Sequence, residues 1–158
     1  MRILIVDDSQ KNLSDAMDQL GSEHEVVTAS YEEANALLQR ESFDAALIDL
    51  LMPAPKLSGC STSPIIGQEM PMGPILAFLA LKAGVQLVAV VTNMNHHNHP
   101  ASAAFDSFIF LPQGGDYEVR KRPFRLGNAV ILLTNNHVLN YGERKAWARV
   151  LAELCAVE

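Results

Sequence analysis

Three carboxylates stand where two short apolar stretches of the chain end. Asp7 and Asp8 follow residues 3–6, and Asp49 follows a second apolar run that begins at Phe43. Runs of this length, bounded by polar residues, are typical of buried strands in a parallel sheet. If the two strands are neighbours, the three acids meet at one edge, where their like charges repel unless a cation binds. Because carboxylate oxygens suit hard divalent cations, this arrangement predicts a site for a divalent cation.

The composition argues against several classes of protein. The chain has 158 residues, 49% hydrophobic and 19% charged, with a formal net charge of −6. We therefore expect one domain over residues 1–158 and no nucleic-acid surface. Polar residues interrupt the longest apolar zone, residues 74–91, which favours a helix and a strand over a membrane span. The chain shows no signal-peptide pattern, and Cys60 and Cys155 are too few for a disulfide framework, so we expect a cytoplasmic protein.

Strand and helix patterns alternate along the first half of the chain. Ser9 can cap a helix whose apolar residues recur at i, i+3, i+4 and i+7 before Gly21. Ser30 and Glu33 have the spacing of a capping box at the start of a second helix. Strands are predicted at residues 2–6, 24–29, 43–49 and 85–91, and further helices at about 74–83 and 101–108. This alternation predicts a parallel sheet with helices on both faces.

Two segments compete for the fifth strand. We favour residues 128–134 over residues 116–120, because the first segment is far more apolar. On this interpretation, a long loop at residues 54–69 and a hairpin at residues 110–127 are insertions. The apolar stripe that includes Ala146 and Trp147 predicts a closing helix over about residues 143–154.

Together these features resemble a response-regulator receiver domain, the phosphoacceptor module of two-component signalling. The match rests on residues that follow the first, third and fourth predicted strands: Asp7, Asp8, Asp49, Met52, Pro53 and Thr92. The resemblance implies a flavodoxin-like three-layer α/β fold with a five-stranded parallel sheet of order 2-1-3-4-5. It also implies a phosphoprotein that acts in a phosphorelay.

The resemblance assigns a role to each acid at this edge. Asp49 would be the phosphoacceptor, and Mg²⁺ would bind Asp7, Asp8, Asp49 and the backbone carbonyl of Leu51. The Thr92 hydroxyl would bond a phosphoryl oxygen. These residue types suit the chemistry, because a carboxylate attacks a phosphoryl donor only when the negative charges of both partners are neutralised.

The chain departs from the family where the fifth strand ends. A receiver normally carries a Lys there, followed by Pro, whereas the preferred strand places Asn135 near that position. Lys121, Arg122 and Pro123 imitate the Lys-Pro pattern with one residue inserted, which is the best argument for the rival strand. Whether Lys56, Lys121 or a histidine replaces the missing cation stays open. The preferred strand also lacks the aromatic residue that commonly couples to the hydroxyl at the Thr92 position.

Four histidines fall in the loops after the fourth and fifth predicted strands: His96, His97, His99 and His137. One interpretation is a transition-metal site made by His96, His97 and His99 with a carboxylate. In a variant of it, His97 and His99 are catalytic, as acid/base groups or as a cation facing a phosphoryl group. The alternative is structural, because His and Asn side chains can satisfy backbone groups and cap the helix after Pro100.

These observations leave three functional hypotheses. The first is a stand-alone, atypical receiver that takes a phosphoryl group from a sensor His kinase or a small phosphodonor. Because no residues remain for an output domain, it would act through a downstream protein, with a homodimer possible and no membrane or nucleic acid as partner. The second is a metal-dependent, phosphohydrolase-like enzyme that uses the acids and the His-rich loop. The third is a degenerate receiver that serves as a binding module, with its acids capping helices.

Overall fold

A six-stranded, mostly parallel sheet forms the centre of this α/β protein. The computed structural model describes residues 1–56, 64–95, 97–110, 120–121, 123–136 and 144–157. The strands are β1 (Arg2–Val6), β2 (Glu25–Ala29), β3 (Ala45–Asp49), β4 (Met52–Pro53), β5 (Glu69–Met70), β6 (Leu87–Thr92), β7 (Ile109–Phe110), β8 (Arg120–Lys121), β9 (Phe124–Leu126) and β10 (Ala129–Asn135). The helices are α1 (Gln10–Leu20), α2 (Tyr31–Leu38), α3 (Gly73–Lys82), α4 (Pro100–Ala104) and α5 (Trp147–Cys155), with a 3₁₀ turn at Phe105–Phe108.

The order of the central sheet is β2-β1-β3-β6-β10-β9. Neighbours from β2 to β10 pair in parallel, and β9 pairs antiparallel with β10. The predicted five-stranded order was therefore incomplete, because β9, which lies in the segment assigned to an inserted hairpin, extends the sheet. Gly127 makes the tight turn into β10 possible, since its φ of 60° is strained for other residues.

The preferred fifth strand is confirmed. β10 pairs in parallel with β6 from Val130 opposite Leu87 to Asn135 opposite Thr92. In the rival segment, residues 116–119 lie outside the described residues, and Arg120 belongs to β8, which pairs with β7. The loop predicted at residues 54–69 is bounded by the short antiparallel pair β4 and β5.

Helices cover both faces of the sheet, as the alternation predicts. On one face, α2, α3 and Phe105 pack against alternate residues of β1, β3 and β6. On the other face, α1 and α5 pack against the remaining residues of these strands and against β10. Because both faces are covered, most residues of the inner strands are buried, which explains their nearly continuous apolar sequences.

The structure tests the predicted starts of two helices. The capping box is confirmed, since the Glu33 backbone donates to the Ser30 hydroxyl and the Ser30 backbone donates to the Glu33 carboxylate. The closing helix was predicted to start too early: α5 begins at Trp147. The described helices include none that is long and apolar enough to cross a membrane.

Candidate functional site

Asp7 and Asp49 lie side by side at the carboxyl edge of the sheet. As the sequence predicts, β1 and β3 are parallel neighbours, with Val6 opposite Ile48. Asp7 directly follows β1, and Asp49 is the last residue of β3. Both are buried, with Asp7 1% exposed and Asp49 8% exposed. Two carboxylates at this depth repel each other and lose hydration, so the arrangement requires a positive partner.

That partner is Lys145. Its Nζ donates one hydrogen bond to Asp7 Oδ2 at 2.6 Å and a second one to Asp49 Oδ1. The Lys145 side chain is 1% exposed and passes over the Trp147 ring, with Nζ 4.9 Å from the ring centre. One ammonium therefore bridges two buried carboxylates, and we refer to Asp7, Asp49 and Lys145 as the acid–lysine cluster.

Backbone and amide groups complete the coordination of the two acids. Asp7 Oδ1 accepts from the Ser9 backbone at 2.9 Å, and both Asp7 oxygens accept from the Asn12 amide at 3.0 Å. Asp49 Oδ2 accepts from the Leu51 backbone N–H at 2.9 Å. Asp49 Oδ1 is thus bound to the ammonium while Oδ2 is held by the loop that follows β3.

Burial raises the pKa of the Asp49 carboxyl to about 6. Lys145 acts in the opposite direction and lowers the pKa, whereas the negative charge of Asp7 raises it further. The carboxylate form therefore predominates at neutral pH, but a shift toward acid protonates it well before an ordinary aspartate.

The backbone of Asp49 is also in close contact with α3. A Cβ atom on Gly73, the first residue of that helix, would collide with the Asp49 carbonyl oxygen and come within 2.9 Å of the Leu50 Cα. Gly73 also donates its backbone N–H to the Leu50 carbonyl at 3.0 Å. The missing side chain thus lets α3 start directly against the end of β3.

Thr92 ends the neighbouring strand, β6, and is 2% exposed. Its register position is one residue beyond Val91, which lies opposite Asp49. The Thr92 hydroxyl oxygen accepts from the Met94 backbone N–H at 3.0 Å. This bond uses a lone pair of the oxygen and not the hydroxyl hydrogen.

Asn135 lies near the position where the resemblance to receivers implied a lysine, and its side chain bonds to the loop after β6. Its amide donates to the Met94 carbonyl at 3.1 Å and to the Ser102 hydroxyl at 2.7 Å. Ser102 in turn donates to the Met94 carbonyl at 2.8 Å. Asn135 therefore ties β10 to the Thr92 loop, and the cation of the site comes from Lys145, ten residues later in the sequence.

The sequence analysis missed Lys145 because the closing helix was started too early. A start at about residue 143 makes Lys145 an ordinary residue of the first helical turn. In the structure, α5 begins at Trp147, so Lys145 lies in the loop just before the helix. The apolar pattern does not mark this boundary, because it already includes the buried Ala146. Among the candidates, Lys56 is exposed, and the side chain of Lys121 lies outside the described residues.

Of the carboxylates expected to bind Mg²⁺, only Asp7 and Asp49 are shown close together. Asp7 and Asp49 are close enough to share one ammonium, whereas Asp8 is exposed at the end of β1. In the part of the chain that the structure describes, no three Asp, Glu, His or Cys side chains are grouped as metal ligands. A magnesium ion at this edge would therefore require Asp8 and the Leu51 carbonyl to complete its oxygen ligands.

The described histidines of the loop after β6 have backbone contacts. His99 is the N-cap residue of α4, and its Nδ1 accepts from the Ala101 backbone N–H at 3.1 Å. His97 is exposed, and its backbone N–H donates to the Asn95 side chain at 2.9 Å. The bond made by His99 is the helix-capping role that the sequence analysis gave as the structural alternative. His96 and His137 lie outside the described residues.

Comparisons with protein-family models, with curated proteins and with solved structures found no match for this chain.

Proposed function

We propose that this chain is an atypical response-regulator receiver in which Asp49 accepts a phosphoryl group. The observation that carries the proposal is the acid–lysine cluster: a buried carboxylate at a strand end, bridged by a buried ammonium to a second carboxylate. The parallel strands β2-β1-β3-β6-β10 support it, since their arrangement is compatible with a flavodoxin-like fold. In such sheets, ligands bind outside the carboxyl ends of the strands.

The proposed reaction is a transfer to an oxygen of Asp49. The oxygen attacks the phosphorus of the donor, and the bond between phosphorus and the leaving group breaks. The electron pair of that bond departs with the leaving group, so the product is an acyl phosphate on Asp49. Lys145 would offset the added negative charge, because its Nζ already binds Asp49 Oδ1.

Two further groups would assist the transfer. The Thr92 hydroxyl would donate to a phosphoryl oxygen, since its bond to Met94 uses only a lone pair. A bound Mg²⁺ would supply a second positive charge for the phosphoryl oxygens, with Asp7, Asp8, Asp49 and the Leu51 carbonyl as the ligands.

The proposed partners follow from the resemblance to receivers. A sensor His kinase or a small phosphodonor would supply the phosphoryl group, and a downstream protein would bind the changed surface. A second copy of the chain is a further possible partner. Coupling from Thr92 to that surface would pass through Met94, Asn135 and Ser102, in place of the usual aromatic residue.

A mass measurement tests the proposal. The protein is incubated with Mg²⁺ and acetyl phosphate, and the intact mass is expected to rise by one phosphoryl group. Asp49→Asn should abolish the adduct, since the nucleophile is gone. Asp44→Asn is the matched control, because Asp44 lies exposed at the opposite end of the same strand. An unmodified wild-type mass, under conditions where Mg²⁺ binding is measurable, would refute the proposal.

A specific observation also favours the degenerate receiver as a second candidate. Lys145 already pairs with both carboxylates without any further ion. A binding module in which this bridge is permanent would show no adduct, and Mg²⁺ would not alter its thermal stability. The metal-dependent enzyme gains no such support from the described residues of the His-rich loop, since His99 caps a helix.

A further inference from the structure

Arg144 ties the segment before α5 to helix α1. Its Nε donates to Asp15 Oδ1 at 2.6 Å, and its Nη2 donates to Asp18 Oδ2 at 2.9 Å. Asp15 is 6% exposed. Among the described residues, its other oxygen, Oδ2, has no hydrogen-bond partner. The buried carboxylate therefore depends on Arg144 for its neutralisation.

Gln19 holds the same segment through its backbone. Its Nε2 donates to the Lys145 carbonyl at 2.8 Å, and its Oε1 accepts from the Ala148 N–H at 3.2 Å. Ala148 is the second residue of α5, and the N-cap residue, Ala146, has no polar side chain to bind it. Gln19 thus takes the place of a capping side chain from a different helix.

Asn136 fixes the segment from the sheet side. Its Oδ1 accepts from the Ala146 N–H at 2.8 Å, and its Nδ2 donates to the Arg144 carbonyl at 3.0 Å. The residues on both sides of Lys145 are therefore bonded to Asn136, while the carbonyl of Lys145 is bonded to Gln19.

Helix α1 also positions the partner of the ammonium. The Asn12 amide donates to both oxygens of Asp7, and the Asn12 carbonyl accepts from Trp147 Nε1 at 2.9 Å. One helix thus orients Asp7 and anchors the backbone that carries Lys145. A lysine side chain is long and flexible, so a fixed backbone is what keeps its ammonium between two carboxylates.

We propose that Arg144 and Gln19 are positioning residues that hold the Lys145 ammonium in the acid–lysine cluster. Arg144 acts through its ion pairs with Asp15 and Asp18, and Gln19 acts through the Lys145 and Ala148 backbone. The inference concerns the geometry of the cluster. Only its effect on phosphoryl transfer rests on the proposed function.

Lysine labelling tests the inference without any phosphorylation. The folded protein is reductively methylated, and peptide mass spectrometry follows the rate at each lysine. Buried Lys145 should be protected in the wild type, and Arg144→Gln should label it roughly tenfold faster, because the local opening that exposes the amine becomes more frequent. Lys11 and Lys82, both exposed, serve as internal references whose rates should not change.

Three variants separate positioning from a general loss of stability. Arg149→Gln is the matched control, since Arg149 lies on α5 and pairs with Glu153; it should leave Lys145 protected. Arg144→Lys keeps the charge and should restore part of the protection. Gln19→Ala removes no charge and should also label Lys145 faster, by a smaller factor. If Arg144→Gln does not fold, Gln19→Ala decides the outcome.

If both Arg144→Gln and Gln19→Ala fold, unchanged protection of Lys145 in both would overturn the inference. If only Gln19→Ala folds, unchanged protection in that variant would overturn it. The transfer reaction gives a second readout. If the wild type forms the phosphoryl adduct, Arg144→Gln should slow its formation several-fold, and Arg144→Lys should recover part of the rate. If the wild type forms none, the proposed function fails, but the labelling result still decides whether Arg144 and Gln19 position Lys145.

Discussion

The acid–lysine cluster and the loop after β6 lie at the same edge of the sheet, yet their titratable residues are used differently. In the cluster, two carboxylates and one ammonium are buried and bonded to each other. In the loop, His97 is exposed, and the ring of His99 is bonded to a backbone N–H. A strand-end position alone therefore does not make a reactive site. In the cluster, burial raises the pKa of Asp49. In the loop, His97 and His99 bond to groups close to them in the sequence.

The largest expected effect is that of removing the ammonium. Lys145→Met leaves Asp7 and Asp49 buried without their shared positive partner, and the free energy of unfolding should fall by about 3–5 kcal/mol at pH 7. Urea denaturation measures the change. Lys82→Met, at an exposed position on α3, is the control and should stay within about 0.5 kcal/mol of the wild type. Equal stability of the two variants would contradict the charge balance inferred for the cluster.

A smaller effect is expected from the protonation of Asp49. Its pKa is raised from 3.8 to about 6 in the folded protein, so folding favours the protonated form. The stabilising contribution is fully present below pH 3.8 and is lost as the pH rises through 6; over that window it amounts to about 3 kcal/mol. Urea denaturation between pH 4 and 8 should show this slope in the wild type and a flatter one in Asp49→Asn.

Asp44→Asn is the control for the pH series, since Asp44 is exposed at the far end of β3. It should keep the wild-type slope. If Asp49→Asn shows the same slope as the wild type, a group other than Asp49 titrates in this range. The raised pKa of Asp49 would then no longer distinguish the cluster from the loop after β6.

The smallest expected effect lies in the loop after β6. His99→Ala removes the side-chain acceptor for Ala101 and should cost about 0.5–1 kcal/mol of stability, as for other lost helix caps. His99→Asn should recover most of it. His97→Ala, at an exposed position, should stay within about 0.5 kcal/mol of the wild type. Thermal denaturation measures all three. If the wild type binds a transition metal and His97→Ala does not, the histidines of this loop bind metal and are not only structural.

The first half of the fold could be predicted because its signals are local. Apolar runs of strand length and the capping box at Ser30 lie within a few residues of the structure that they specify. The convergence of Asp7 and Asp49 then follows from the parallel pairing of β1 and β3. The strand at β10 was found for the same reason, since its apolar run exceeds that of the competing segment.

The features that were missed depend on contacts between distant parts of the chain. Lys145 lies 138 residues from Asp7 and 96 from Asp49, so no local pattern connects them. At the start of α5, Asn136 accepts from the backbone of the N-cap residue Ala146, and Gln19 accepts from the backbone of Ala148. Both partners are distant in the sequence. β9 has only three residues, too few for a periodic signal, and pairing with β10 makes it a strand.

The separation of Lys145 from its acids has a consequence for how the protein is made. During synthesis, Asp7 and Asp49 leave the ribosome well before Lys145, which follows Asp49 by 96 residues. The nascent β1–β3 pair therefore carries two uncompensated negative charges until α5 docks. We expect the sheet to consolidate late, after synthesis has passed α5, since contacts of such long range are slow to form.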